Sequence, residues 1–309
     1  MTVETAQLSA QYLNQNFINK LEKGQVKEAE EKGSLFLRKE LREHSVTGKV
    51  LTPMDITEDE LDQSLESDQP MKIVEKEIDS TASFVPFRGT GPHKWFYGDK
   101  YPVYFGKIET ERNSKSKFEL MTYRNDIRKY LTDNHVYDLA NQIDNKFFRL
   151  VDAAIALNAG VQSINVAGPL SADAVVQGLK RMITLRKPTG KLVMAKSLYM
   201  DVLNLDYTHV GSEILARHYD QGVEGEEKLW GIPVVTTIKA GSTLDGNKTV
   251  IKDDEIYFMP HENFMGNYFK LQDATLYIKQ EADIFTFWSY CAEGIGIGIA
   301  DSIVKVVLT

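Results

Sequence analysis

The longest periodic pattern of apolar positions starts at Val136. Val136, Ala140, Ile143, Phe147, Leu150, Ala154 and Leu157 recur at steps of four and three, which places them on one stripe of an α-helix. Thr132 or Asp133 can cap its start and Gly160 suits its end. A helix of about 26 residues, roughly 39 Å long, is predicted. With one apolar seam it is a strut across a flat structure or half of a coiled coil. Only one such segment exists, which favours the strut. A second helix is predicted over 171–186, with Ser171 as N-cap and Val175, Leu179, Met182 and Ile183 on its apolar face. The turn KPTG then leads to a strand KLVMA, a short helix LYMDVLNLD capped by Ser197, and a strand WGIPVVTTI, with loops around 220–228 and 241–254. This alternation describes a compact α/β unit at about 160–254 with too few strands for a doubly wound enzyme sheet.

From residue 255 the pattern turns to strands: DEIYFMP, NYFKLQ, ATLYIKQEADIFTFWSYCAEGIGIGIA and SIVKVVL. Gly294, Gly296 and Gly298 alternate with Ile295, Ile297 and Ile299, so one face of that strand is bare backbone, open to close approach by another backbone or a helix. Residues 84–105 hold eight aromatics, broken by Gly and Pro too often for a helix. Alternation in YPVYFGKIETE, polar RNSKSK and a second strand KFELMTY predict a long hairpin-like loop with its tip near Asn113 to Lys117. Its rings, Trp95, Phe96 and Tyr97 among them, either form an exposed interaction surface or pack into this chain's own core.

Residues 1–80 have only three aromatics, Tyr12, Phe17 and Phe36. Such a stretch buries little apolar surface by itself and reads as an arm that lies on something else, most simply a neighbouring subunit.

Charge sharpens this picture. The 309 residues carry a net charge of −8, which argues against binding nucleic acid through overall charge. Residues 55–68 hold seven carboxylates, including Asp59, Glu60 and Asp62, and no Lys or Arg. They form either a solvated flank or a strip that docks on a basic surface. Residues 107–129, with Arg112, Lys115 and Lys117, hold seven Lys and Arg against four Asp and Glu. The acidic strip of one copy is therefore expected to seat against the basic segment of the next.

The search for chemistry is empty. GIGIG lies inside an alternating strand, and the ten residues after it leave no room for a dinucleotide-binding βαβ unit. The six histidines form no HExxH. Cys291, the single cysteine, excludes an internal disulfide and reads as a buried inert thiol. No GxSxG or P-loop occurs, no cofactor or metal is implied, and no catalytic residue stands out. No apolar run is long enough for a membrane-spanning helix. The stretch MTVETAQLSAQYLNQ lacks the regions of a signal peptide.

The order of parts, an arm, an aromatic loop, one strut helix, a compact α/β unit and closing strands, resembles the major capsid protein of tailed bacteriophages with the α+β Hong Kong 97-type fold. KFELMTYRNDIRKYLTDNHVYDLANQIDNKFFRLVDAAIALN resembles that family's approach to the spine helix. LWGIPVVTT and IYFMPHENF resemble its axial-domain segments, and NYFKLQDATLYIKQEADIFTFWSY with SIVKVVL its peripheral strands. The resemblance covers about 84–309. It implies an N-terminal arm at 1–80, an extended loop and first strand at 81–130, a spine helix at 131–159, an axial domain at 160–254, and peripheral strands returning to the axial domain at 255–309. It further implies self-assembly into hexamers and pentamers of an icosahedral shell around double-stranded DNA, in a virion assembled in the host cytoplasm. Portal, scaffold or decoration proteins would be partners. Some members of the family cross-link a loop lysine; Lys94, Lys100, Lys107, Lys115 and Lys117 lie in that segment, and no local signal selects one. An encapsulin-like nanocompartment around a cargo enzyme is the alternative with the same fold, and an unrecognised enzyme comes third.

Overall fold

The computed structural model describes residues 12, 14–16, 18–19, 25–64, 68–76, 84–91, 93, 98–122, 130, 132–201, 227–241 and 249–309. Helices α1 (Val26–His44) and α2 (Thr47–Val50) precede strands β1 (Pro53–Asp55), β2 (Met71–Glu75), β3 (Lys100–Glu109) and β4 (Asn113–Ser116). Helix α3 (Lys117–Thr122) and a π-helical turn at Thr132–Val136 lead to the long helix α4 (Tyr137–Leu157). Then come α5 (Ala159–Gln162), β5 (Ser163–Val166), α6 (Ala172–Thr184), β6 (Thr189–Ala195) and α7 (Lys196–Met200). The remaining strands are β7 (Glu227–Leu229), β8 (Ile232–Thr237), β9 (Ala240–Gly241), β10 (Ile251–Lys252), β11 (Glu255–Pro260), β12 (Gly266–Glu281), β13 (Ile284–Ile297) and β14 (Val304–Leu308).

Two six-stranded sheets share one core. The first runs β1-β12-β13-β3-β2, with β4 also on β13; the second runs β5-β14-β11-β6-β8-β7. Helix α4 joins them. It spans 21 residues, about 32 Å, and begins directly from the π-turn with Val136 at its N-cap position. Val136, Ala140, Ile143, Phe147 and Ala154 are buried as the seam predicts. Leu157 is 74% exposed, and Phe148, Val151 and Ile155 are buried instead, so the apolar face is wider than the seam. It is wide because two sheets flank it. Phe148 meets Tyr257 of β11 edge-on at 5.2 Å, while other residues face β13 and β3. Helix α6 is capped as expected, Ser171 Oγ accepting from the Ala174 amide at 3.3 Å. The short helix after β6 starts two residues earlier than expected, with Ala195 rather than Ser197 at the N-cap.

The amino-terminal stretch departs from the expectation. Ala29, Leu37 and Leu41 of α1, with Val46, Val50 and Leu51, belong to the main core. Helix α1 covers the edge of β12 opposite β13, beyond the residues that β1 pairs. Ile278 N–H donates to Glu30 Oε1 at 2.9 Å, Leu276 N–H donates to Ser34 Oγ at 2.9 Å, and Arg38 Nε donates to the Ala274 carbonyl at 3.1 Å. Glu30, Ser34 and Arg38 recur every four residues, so one polar stripe of the helix satisfies an exposed strand edge. The described residues of α1 and α2 therefore lie on their own chain.

The expected hairpin is also corrected. Glu109 pairs with Tyr290 and Asn113 with Phe287, so β3 and β4 run on along the same side of β13 as one interrupted strand. The 14-residue β13 offers more ladder than β3 can fill, and Asn113–Ser116 takes the rest. KFELMT is helix rather than strand because Ser116 and Glu119 form a capping box. The Glu119 amide donates to Ser116 Oγ at 3.2 Å and the Ser116 amide donates to Glu119 Oε2 at 2.9 Å.

The glycine face of β13 is filled by side chains rather than by backbone or helix. A Cβ on Gly294 would approach Phe105 and Val103 at 3.0–3.1 Å, one on Gly296 would press on Val103, and one on Gly298 on Tyr101. Residues of β3 fold across it into a second small cluster with Ile56 and Phe269.

Candidate interaction surfaces

From Ile284 to Glu293 strand β13 alternates. Phe285, Phe287, Ser289 and Cys291 face the helices, while Trp288 and Tyr290 face outward. On that outer face Tyr277 stacks between Trp288 (ring centroids 5.7 Å apart) and Tyr290 (5.0 Å). The Tyr277 and Tyr290 hydroxyls lie 2.9 Å apart, and Gln272 Nε2 donates to the latter at 2.9 Å. Arg112 sits 5.1 Å over Trp288 and Lys107 Nζ 4.2 Å over Tyr290. The result is a ladder of cation, three rings and cation across β12 and β13. Glu109 joins its ends, bonded to Lys107 Nζ at 2.9 Å and Arg112 at 3.2 Å. Hydrogen bonds first from Lys107 and then from Arg112 hold its carboxyl below the usual carboxylate range. Arg112, expected on composition to face a neighbour, is thus committed first to its own sheet. Lys115 Nζ lies 5.4 Å over the Tyr130 ring, and the Lys117 amide donates to the Asp283 carbonyl at the β12–β13 turn.

The acidic residues occupy the other end of this sheet. Asp59 and Glu60 form a single 3₁₀ turn, Glu58–Glu60, and Lys72 Nζ reaches the Glu60 carbonyl at 3.2 Å. Asp62 is bound to strand β2. Its amide donates to the Met71 carbonyl at 2.8 Å, and its Oδ2 accepts from the Ile73 amide at 2.9 Å. Asp62 therefore blunts an edge strand. Asp62 is level with Met71 and Tyr104, next to Phe105, which pairs with Gly294, whereas Lys115 pairs with Phe285. About ten residues of β13, roughly 33 Å, separate the two charge groups, so they do not meet within one chain.

Trp95, Phe96, Tyr97 and Lys94 lie outside the described residues. Nearby, Phe84 and Phe87 are fully exposed beside a turn closed by the Gly89 amide donating to the Pro86 carbonyl at 2.7 Å. Phe105 is buried and Tyr104 is 40% exposed, so the aromatic segment divides between surface and core.

Two ion pairs tie α4 to distant segments, the first of them buried. Asp144, fully buried, accepts from Lys239 Nζ at 2.9 Å and also from Ser45, Val46 and Thr47 at the α1–α2 joint. Two turns on, Asp152 accepts from Lys305 Nζ at 3.1 Å and from the Tyr257 hydroxyl at 3.1 Å. Their spacing of eight puts both on one helix face. In the sequence they read as ordinary solvated charges, and only their partners from distant segments distinguish them.

Among the described residues no group of three His, Cys, Asp or Glu could hold a metal ion, and no helix is long and apolar enough to cross a membrane. Burial pushes the Cys291 thiol up and raises the Glu293 carboxyl, to which the Tyr268 hydroxyl donates at 2.6 Å.

No protein-family model matches the chain, and no curated protein matches it. Solved structures do. One of Mycobacterium phage Bobi aligns with a TM-score of 0.56 at 12% identity, covering 86% of this chain and 91% of that one. One of Microbacterium phage Oxtober96 gives 0.55 at 12%, with 86% and 91% covered. The asymmetric unit of the bacteriophage PhiM1 mature capsid gives 0.52 at 11%, with 83% and 85% covered. In its mixed helix-and-sheet architecture, this chain has the fold of bacteriophage capsid proteins.

Proposed function

We propose that this chain is a major capsid protein that self-assembles into the icosahedral head shell around the double-stranded DNA genome of a tailed bacteriophage. The observation that carries the reading is the alignment of most of the chain with a phage mature capsid protein. In this reading the fold is of the Hong Kong 97 type. Helix α4 is its spine helix, the first sheet belongs to the peripheral domain and the second to the axial domain. Residues 81–130 are the extended loop and the strand entry to the peripheral domain. The role is structural, with no catalytic step and no cofactor, and the protein resides in the virion after assembly in the host cytoplasm. Portal, scaffold or decoration proteins remain partners in this reading.

Between copies, the acidic turn with Asp59 and Glu60 pairs with the basic segment 107–129 that holds Lys115 and Lys117. Their separation within one chain supports a contact made across subunits, and Phe84 and Phe87 offer ring surface for the same purpose. Velocity sedimentation and negative-stain microscopy of the purified protein test the reading. Closed particles of megadalton mass are expected, loosened by salt. A monodisperse species of 35.0 kDa under all conditions would refute it. Nucleic acid rather than protein cargo inside native particles would separate a phage head from an encapsulin-like compartment.

A further inference from the structure

The hairpin of β7 and β8 turns through Trp230 and Gly231, at φ +50° and +80°, with Leu229 paired to Ile232 across it. Two successive left-handed residues make a type I′ turn, for which Asn-Gly is the favoured pair. A Cβ in that region crowds the following carbonyl, so a bulky residue there is a true outlier. A side chain kept against backbone strain points to a role outside the turn itself. Trp230 is 36% exposed, and β7 is the terminal strand of its sheet.

The opposite edge of the same sheet carries a complementary feature. Leu157 and Val161, just before edge strand β5, are 74% and 43% exposed. The register fixes their level. Val234 pairs with Leu192, Leu192 with Phe258, and Phe258 with Val304, whose neighbour Lys305 pairs with Ser163. Strands β5 and β8 run in the same direction, so Trp230 and the Leu157–Val161 patch lie at the same end of the sheet on opposite edges. Five strand spacings, roughly 24 Å, hold them apart within one molecule. Two molecules set side by side in the same orientation bring them together. Such a contact is head-to-tail, each copy giving an aromatic ring on one flank and receiving one on the other, the kind that builds a closed circle of subunits when its rotation closes.

We propose that Trp230 is an anchor that seats on the Leu157–Val161 patch of a second copy of this chain. The inference rests on the shell-forming reading above and assigns it a contact. A partly exposed tryptophan against an aliphatic patch is the kind of anchor that dominates an interface.

The test uses full-length protein carrying Trp230→Asn, Trp230→Phe or Leu157→Ser, beside the unaltered chain. Trp230→Asn relaxes the turn, so the melting temperature of unassembled subunits rises by about 2 °C, while the fraction sedimenting as particles falls about tenfold or more. Trp230→Phe keeps both the strain and most of the assembly. Leu157→Ser lowers assembly without raising the melting temperature. Particles from Trp230→Asn at the unaltered yield, or a lowered melting temperature in that variant, would overturn the anchor while leaving the shell reading intact. Failure of the unaltered chain to assemble at all would overturn both.

Discussion

Replacing Asp144 by Ala removes the acceptor that holds three segments together. Its carboxylate is fully buried and takes hydrogen bonds from Ser45 Oγ (3.0 Å), the Val46 amide (3.1 Å), the Thr47 amide and hydroxyl (2.9 and 2.8 Å) and Lys239 Nζ (2.9 Å). The substitution strands the Lys239 ammonium, itself 9% exposed, with the weaker His44 carbonyl at 3.4 Å as its remaining acceptor. Breaking a buried pair from one side costs about 3–5 kcal/mol, and unsatisfied amides at the α1–α2 joint add about 1 kcal/mol or more. A loss of roughly 4–5 kcal/mol is expected, read as a fall of about 8 °C or more in the melting temperature of unassembled subunits. Hydrogen exchange should speed up first at residues 45–51. Lys239→Met in the same background removes the stranded charge and should restore about 2 kcal/mol, a coupling expected of groups in contact. If Asp144→Ala costs under about 1 kcal/mol, or if the two changes are additive, the clasp carries no weight and the argument fails.

Three further outcomes are expected. Burial lowers the His135 pKa to about 4, and its Nδ1 sits 2.9 Å from Ser289 Oγ. The unfolded chain therefore binds a proton that the folded one refuses, so stability is full above about pH 6.5 and falls by about 3 kcal/mol as pH drops toward 4; thermal melts of His135→Gln between pH 7 and 4.5 should show a shallower decline. Gly296→Ala would drive a methyl into Val103 beneath the β13 strand and should destabilise by about 1–3 kcal/mol, checked by urea titration. Ala282 holds φ +53° in the β12–β13 turn, so Ala282→Gly should stabilise by about 0.5 kcal/mol, seen as a slightly later urea midpoint with an unchanged slope.

Local order was legible in the chain because helices and strands impose their own periods. The seam from Val136 locates α4, Ser171 marks the start of α6, and the alternation after residue 255 announces β11 to β14. The capping box at Ser116 and Glu119 was also present, and its signal was hidden by the β-forming look of KFELMTY. An arm of the kind composition suggests at 1–80 could be deleted without harm to folding. The structure makes that deletion remove core side chains Leu37, Leu41 and Leu51 together with strands β1 and β2.

The sequence by itself therefore determined the main elements from Val136 onward, the absence of any recognisable catalytic motif, and the segment order shared with a capsid fold. Only the tertiary structure decided which charges are buried, which rings stack, and which surfaces face away. Asp144 and Lys239 are 95 residues apart, and the stripe of Glu30, Ser34 and Arg38 gains its role only when β12 arrives with an open edge. Periodicity reports which way a side chain points from its own helix or strand. It carries no information on what stands opposite, because that partner comes from a distant part of the chain.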